Sequence, residues 1–231
     1  NRQEDNDNIK MKYVDIDDNP ETFSSSQAKL TLPDDFKKIV YAGLYWTATY
    51  AYEKGTRKAK KDNYIFRGNG ERSTVINQIK IKLPNQDYQD ITGDIIYDGS
   101  TNVTHAINSP YVCYADVTKL LQNTEDKAGN YTVANVKATE GYLSGGSAAG
   151  WMLYVIYRSP TDNPKYISTY NGFALVNSRP VDINFKNFKS INQGKVNTSL
   201  VVSALEGDNN LDLDECAILK ANSNQFQSLS N

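Results

Sequence analysis

The sequence contains few of the side chains that build common catalytic and metal centres. Its 231 residues include one histidine, His105, and two cysteines. One histidine cannot supply a histidine-based metal site, and no Gly-x-Ser-x-Gly motif presents a serine nucleophile. A glycosidase needs only a pair of carboxylates, so that class stays open, although no pair stands out. We therefore predict that the chain is not an enzyme and that His105 is a polar loop residue.

Long apolar runs and a strong charge of one sign are also missing. No run of about 18 apolar residues occurs, so no membrane-spanning segment is expected. The formal net charge of -2 does not attract nucleic acid or an anionic membrane. The polar first residues, 1–5, do not resemble a secretory signal, so if the protein is exported, its signal either was removed or lies outside this sequence. The basic stretch Glu53–Lys61 is either a polyanion patch or a solvated loop, and the overall charge favours the loop.

The two cysteines, Cys113 and Cys216, are too few for a disulfide framework, and their spacing fits no metal motif. Each lies in a strand-like segment. They are either two free core thiols or the two ends of one long-range disulfide. Our hypothesis is the disulfide, because these are the only two cysteines and their segments could be neighbouring strands in a sandwich.

Short strand patterns recur along the chain, and helical periodicity is nearly absent. The expected strands are Met11–Ile16, Lys29–Leu32, Ile39–Tyr50, Ser73–Leu83, Tyr88–Tyr97, Tyr111–Val117, Tyr131–Val136, Trp151–Tyr157, Lys165–Tyr170, Phe173–Val176, Val181–Phe188, Asn197–Leu205 and Cys216–Lys220. Asn171 and Gly172 form a typical two-residue hairpin turn. The one helix expected is Asp116–Leu121, which Asp116 can cap. We predict an all-β fold: an antiparallel β-sandwich, with jelly-roll order as one arrangement, and one short helix.

A boundary is expected only near the start of the chain. Residues 1–28 are polar and predict an extended N-terminal arm, and residues 29–231 predict a single β-sandwich domain. Ile39–Tyr50 is almost wholly apolar, which is typical of a central strand covered on both faces. This strand and Trp151–Tyr157 supply the residues expected in or beside the core, which are Tyr45, Trp46, Trp151, Leu153 and Val155.

Tyrosine is abundant, with 16 residues against 7 phenylalanines. The tyrosine ring packs well on a sheet while its hydroxyl group stays in water. This composition has two interpretations. The tyrosines are ordinary strand residues on solvent-facing sides, or they form an exposed surface that recognises a ligand.

An acidic loop late in the chain is the candidate metal site. Its possible ligands are four carboxylates: Glu206, Asp208, Asp212 and Asp214. Acidic loops with asparagine and glycine provide the hard oxygen ligands that calcium takes, so calcium is the candidate cofactor. The spacing does not match an EF-hand. The competing interpretation is a solvated turn in which these residues serve the backbone geometry.

Several segments resemble one family of bacterial proteins. They are Ala28–Pro33, Val40–Trp46, the Tyr-Ala-Asp-Val-Thr segment at Tyr114–Thr118, Gly129–Val136, Ala149–Tyr157, Asn171–Phe173 and Glu206–Asp208. They occur in the family's order and cover most of the chain from about Ala28 onward. In order and content they resemble the N-terminal β module of large bacterial cell-surface proteins, many of them type IX-secreted Bacteroidetes proteins with adhesin-like architecture.

This resemblance implies an extracellular or cell-surface location and a role in cell adhesion. The expected partner is a glycan or a protein at the cell surface, and nucleic acid is not expected. One alternative is a structural stalk or assembly domain of a surface fibre, which would bind only its neighbours. Another alternative is a carbohydrate-active enzyme on a sandwich fold.

Overall fold

A computed structural model describes residues 8–61, 63–176, 179–186, 193–194, 197–203, 215–219 and 223–229. The strands are β1 Ser25–Leu30, β2 Lys38–Thr49, β3 Lys54–Lys60, β4 Asn63–Asn69, β5 Gln78–Lys82, β6 Tyr88–Thr92, β7 Asp94–Asp98, β8 Pro110–Asp116, β9 Gly129–Ala134, β10 Glu140–Gly141, β11 Ala149–Arg158, β12 Ala217–Leu219 and β13 Phe226–Ser228. The α-helix α1 is Thr118–Asn123, and a short 3-10 helix covers Gly99–Thr101. The predicted β-rich fold with one short α-helix is therefore confirmed for the described residues.

The strands form two four-stranded sheets and two smaller sheets. The first four-stranded sheet has the order β1-β9-β5-β6, and the second has the order β11-β2-β8-β7. A three-stranded sheet has the order β10-β3-β4, and β12 pairs with β13. The pairing of β10 with β3 is parallel, and the pairs within both four-stranded sheets are antiparallel.

Strand β2 lies between β11 and β8. The side chains that it turns inward are apolar. Those side chains belong to Ile39, Ala42, Leu44, Trp46 and Ala48, each at most 1% exposed. The step from residue 39 to residue 42 breaks the period of two. Register with β11 shifts there, because Ile156 pairs with Tyr41 while Tyr157 pairs with Ile39, which leaves residue 40 as a bulge. Only one face of β2 is fully buried, whereas the sequence predicted cover on both faces.

Both four-stranded sheets contribute to one apolar core. Ile79, Ile81 and Val133 come from the first sheet, and Trp46 and Tyr111 come from the second. The Trp46 indole N–H donates a buried hydrogen bond of 3.0 Å to the carbonyl oxygen of Ile76. That bond gives the buried indole nitrogen a hydrogen-bond partner. The second sheet therefore packs against the core through β2 and β8, its two inner strands.

Four of the five predicted core residues are confirmed. Trp46 is fully buried, and Trp151, Leu153 and Val155 pack against the core while staying partly exposed. These last three are less covered because β11 is at the edge of its sheet. Tyr45 is the exception. It alternates with Leu44 and Trp46 and therefore lies on the opposite face.

The predicted helix is present, displaced by two residues. The helix expected at Asp116–Leu121 runs instead from Thr118 to Asn123. A carboxylate oxygen of Asp116 accepts a hydrogen bond of 2.8 Å from the Thr118 backbone N–H. The Asp116 side chain thus supplies a hydrogen bond to the first helical residue from two positions before it, and the N-cap residue itself is Val117.

Two predictions about the first half of the chain need correction. The basic stretch 53–61, expected as a loop, is mostly strand β3. The strand expected at Met11–Ile16 is reduced to one bridge between Met11 and Gly141. Within the expected arm, the first strand already begins at Ser25 and pairs with β9.

The strands expected after β11 are mostly not formed in the part of the chain that the structure describes. The described residues of 165–203 contain no strand, and many of their apolar side chains are exposed, such as Tyr166 and Val201. The turn expected at Asn171-Gly172 joins no strands. Of the segment Cys216–Lys220, residues 217–219 form β12. A strand needs a partner edge as well as β-forming residues, and sequence patterns do not show which edges are available.

Candidate functional site

The acidic residues proposed for calcium, Glu206, Asp208, Asp212 and Asp214, lie outside the described residues. In the part of the chain that is described, no group of three or more His, Cys, Asp or Glu side chains is arranged to hold a metal ion. The calcium site therefore remains a prediction from the sequence.

The described cysteines correct the disulfide hypothesis. Both thiols are free: Cys113 is buried and Cys216 is exposed. The Cys113 side chain points from β8 into the core, where its sulfur lies 3.6 Å from the carbonyl oxygen of Ile76. Burial raises the pKa of this thiol to about 12, so it stays protonated and unreactive in the folded protein. Cys113 is a core residue, and Cys216 lies just before the β12–β13 pair.

His105 belongs to an aromatic cluster that the sequence did not reveal. Its ring nitrogen Nδ1 is hydrogen-bonded to the Tyr97 hydroxyl group. The Phe173 ring stacks on the Tyr97 ring with centroids 4.0 Å apart. This cluster holds the segment around Phe173 against β7, so His105 has a packing role.

The outer face of the second sheet carries four tyrosines from three strands, which we call the tyrosine face: Tyr41, Tyr45, Tyr114 and Tyr154. Tyr45 and Tyr114 are directly opposite each other on β2 and β8, with ring centroids 4.9 Å apart. Tyr41 and Tyr154 meet edge to face at 6.3 Å. All four are partly buried, so part of each residue remains exposed.

Two local features place Tyr41 in this group. The bulge at Val40 leaves both Val40, which is 50% exposed, and Tyr41 on the outer face. Gly43 then provides space beside the Tyr41 ring, because a Cβ atom there would lie 2.6 Å from the Tyr41 hydroxyl oxygen. The Tyr41 and Tyr114 hydroxyl oxygens are 3.0 Å apart and share a hydrogen bond.

The hydroxyl groups of Tyr41 and Tyr45 stay uncharged near neutral pH. Partial burial and then the hydrogen bond with Tyr114 raise the pKa of Tyr41 to about 12. Burial also raises the pKa of Tyr45, although a hydrogen bond with the Asn171 side chain opposes this effect. Neutral phenols can both donate and accept hydrogen bonds, which suits an uncharged polar ligand.

A groove of about 410 Å³ adjoins the tyrosine face at the start of α1. It is lined by Val40, Tyr41, Asp116, Thr118, Lys119 and Gln122. The wall thus combines an aromatic edge with a carboxylate, an ammonium group, a hydroxyl group and an amide. Ligand sites commonly pair apolar surface with a few polar groups that fix orientation.

Part of this face could be predicted from the sequence. Tyr41 and Tyr45 are four residues apart, a spacing that places both on one side of a strand. Their meeting with Tyr114 and Tyr154 depends on the order β11-β2-β8. Strand order is a property of the folded chain and has no local sequence pattern.

The chain matches no protein-family model, no curated protein and no solved structure. Among the described residues, no helix has the length and apolarity needed to cross a membrane.

Proposed function

We propose that this chain is a non-catalytic recognition module of a bacterial cell-surface adhesin, and that it binds a glycan or a protein partner. The tyrosine face with its groove is the observation that carries the proposal. Tyrosine gives large contact area at low entropy cost, and its hydroxyl group adapts to different polar partners. The resemblance to type IX-secreted surface proteins supports the extracellular or cell-surface location.

The same proposal includes the finer fold. We propose that the two four-stranded sheets pack face to face as a β-sandwich, in which jelly-roll order is one arrangement. The shared core between the sheets supports this packing. In such a fold the inner face of the second sheet holds the core. Phe173 and Asn171 contact the outer face at Tyr97 and Tyr45, and the partly exposed tyrosines beside them are the surface that can meet a ligand.

A glycan is the partner class that the groove fits best. Sugar rings present apolar C–H faces that pack on aromatic side chains, and their hydroxyl groups pair with groups such as those of Asp116 and Gln122. These two side chains are exposed beside Tyr41. A protein partner would use the tyrosines as anchors in the same place.

One observation favours a second function, assembly with neighbouring modules. Strand β11 is 10 residues long, mostly apolar, and at the end of its sheet. In the described part of the chain its outer edge has no partner strand. Such an edge can pair with a strand of another molecule, which is how a stalk or fibre domain would bind its neighbour.

A glycan array followed by titration calorimetry tests the leading proposal. We expect Tyr41→Ala and Tyr154→Ala each to weaken binding of any glycan ligand at least tenfold. Tyr166→Ala is the matched control, because Tyr166 is 61% exposed and lies outside the tyrosine face. Binding that survives both tyrosine-face substitutions would contradict the proposed site. Self-association without glycan binding would favour the assembly function, and hydrolysis of a bound glycan would show an enzyme.

A further inference from the structure

The β3–β4 hairpin has two chemically different faces. In its register, Arg57 pairs with Phe66 and Gly55 pairs with Gly68, and these residues share one face with Tyr64. The other face carries four basic side chains, which we call the cationic face: Lys54, Lys58, Lys60 and Arg67. The separation of rings from charges follows directly from the alternation of the two paired strands.

The aromatic face holds the hairpin in a fixed orientation. The guanidinium carbon of Arg57 lies 4.1 Å from the ring centroid of Tyr64 and 4.4 Å from that of Tyr142. Gly68 lies under the Tyr52 ring so closely that a Cβ atom there would be 2.3 Å from Tyr52 Cδ1. Cation–π contacts and ring packing therefore hold this face toward neighbouring residues, and the cationic face points away from them.

The cationic face carries little compensating negative charge. Neither Lys54–Lys60 nor Asn63–Asn69 contains an aspartate or glutamate. Lys54 forms an exposed ion pair of 3.7 Å with Glu140. Among the described residues, the side chains of Lys58, Lys60 and Arg67 have no carboxylate partner. All three residues are exposed. Asp62, next to the hairpin turn in the sequence, lies outside the described residues.

The spacing of these charges suits a linear anion. Side chains two residues apart on a strand are about 6.5 to 7 Å apart, and neighbouring strands are about 4.8 Å apart. Lys58, Lys60 and Arg67 thus form a flat row of cations on two adjacent strands, within a chain whose net charge is -2. A local concentration of positive charge on a weakly acidic protein attracts a partner that carries negative charge.

We propose that the cationic face binds an anionic polysaccharide that carries carboxylate or sulfate groups. This site is separate from the tyrosine face and does not depend on it. The structure favours a polysaccharide over nucleic acid because Tyr64 and Phe66 lie on the opposite face of the hairpin. A strand of nucleic acid on the cationic face could not stack its bases on them. Charge alone recognises a sulfated or uronate chain.

Binding of heparin, polygalacturonate and a short DNA duplex, measured at several salt concentrations, tests this proposal. Heparin and polygalacturonate are the sulfate and carboxylate probes. We expect the triple variant K58Q/K60Q/R67Q to lose at least tenfold in affinity for the polysaccharide that the native chain binds. The slope of log Kd against log salt should fall by about two to three, because binding without these three charges releases fewer counterions. The matched control K29Q/K37Q/K38Q removes the same charge from exposed lysines elsewhere.

Several outcomes would overturn the proposal. These are no binding of either polysaccharide at low salt, an equal loss in the control variant, or tighter binding of DNA through the same residues. If the triple variant melts at a lower temperature than the native chain, the single variant Arg67→Gln replaces it in the binding measurement. We expect Tyr41→Ala and Tyr154→Ala to leave polyanion binding unchanged, so failure of the tyrosine-face proposal and failure of this one can be told apart.

Discussion

At the scale of single residues, the two tryptophans show what a sequence can and cannot predict. Both lie in the most apolar segments, and both were expected in or beside the core. Trp46 is fully buried, whereas Trp151 is partly exposed and its indole N–H donates to the Ser26 hydroxyl oxygen at 2.8 Å. Hydrophobicity predicted that both rings pack. The difference in cover comes from strand order, because β2 is central and β11 is at an edge.

This difference predicts unequal losses of stability. Trp46→Ala should lower the free energy of unfolding by about 3 to 5 kcal/mol, as large-to-small changes in cores do. Trp151→Ala should lower the free energy of unfolding by less, since part of the Trp151 ring is already in water. It should still lower the thermal midpoint measurably. Urea unfolding followed by circular dichroism measures both. Equal losses, or no loss for Trp151→Ala, would contradict these positions in the core.

The ion pair between Arg72 and Asp98 predicts a pH dependence. The two side chains are 2.8 Å apart and mostly buried. Burial would raise the pKa of Asp98, but hydrogen bonds from Ser100 and the Arg72 charge outweigh it and leave this pKa below its usual value. A lowered pKa means that the folded state binds the proton less tightly than the unfolded state. The pair therefore stabilises the fold above the unfolded pKa of about 3.9, and this stabilisation is lost as the pH falls through the lower folded value.

We accordingly expect Asp98→Asn to be destabilised at pH 7 and to approach the native chain in stability as the pH falls toward 3. Unfolding free energies across this range measure the effect, with Asp34→Asn as the control at an exposed carboxylate. If the difference in unfolding free energy between the native chain and Asp98→Asn stays constant with pH, the Asp98 charge does not contribute to stability.

At the scale of elements, the sequence predicted the strands up to β11 that have one apolar face and missed β3, which has none. β5 falls within an expected strand, and β2, β8, β9 and β11 overlap expected strands with ends that differ by one or two residues. β3 was expected as a loop, because Lys-Gly-Thr-Arg-Lys-Ala-Lys has no apolar alternation. It is a strand because it pairs with β4 and because Arg57 packs over the Tyr142 ring. The contact with Tyr142 is long-range and leaves no local pattern.

The glycine of β3 gives a prediction for this element. A Cβ atom on Gly55 would lie 1.8 Å from the carbonyl oxygen of Tyr142, which is backbone and cannot move aside cheaply. Gly55→Ala should therefore disturb the β10–β3 pairing and cost about 1 to 3 kcal/mol, as overpacking does. The thermal midpoint should fall by roughly 2 to 4 °C for each kcal/mol. Gly172→Ala is the matched control, because a Cβ atom there meets nothing within 4 Å. A midpoint that falls equally in both variants, or in neither, would contradict the packing at Gly55.

At the scale of the whole molecule, the sequence predicted the class of fold but little of its layout. Alternating segments such as Ser73–Leu83 indicated a β protein. They did not indicate that β9 would join β1 to β5, or that a third sheet would form around β3. The candidate site shows the same limit. The tyrosine count suggested a recognition surface, and only the pairing of β2 with β8 and β11 selects which four of the 16 tyrosines form it.

The last prediction concerns calcium and the stability of the whole chain. Glu206, Asp208, Asp212 and Asp214 place four carboxylates within nine positions of the sequence, where they repel one another unless water or a cation separates their charges. A cation that binds only the folded chain must raise its melting midpoint. At calcium tenfold above its Kd, the gain is about 1.4 kcal/mol, or roughly 3 to 6 °C.

Melting of chelator-treated protein with and without millimolar calcium measures this gain, and D212N/D214N should abolish it. Magnesium is the control ion, because it keeps its water shell and fits a flexible acidic loop less well than calcium does. An unchanged midpoint together with no heat of calcium binding would contradict the site. The four carboxylates would then belong to a solvated turn, and recognition would depend on the tyrosine face and the cationic face without a metal ion.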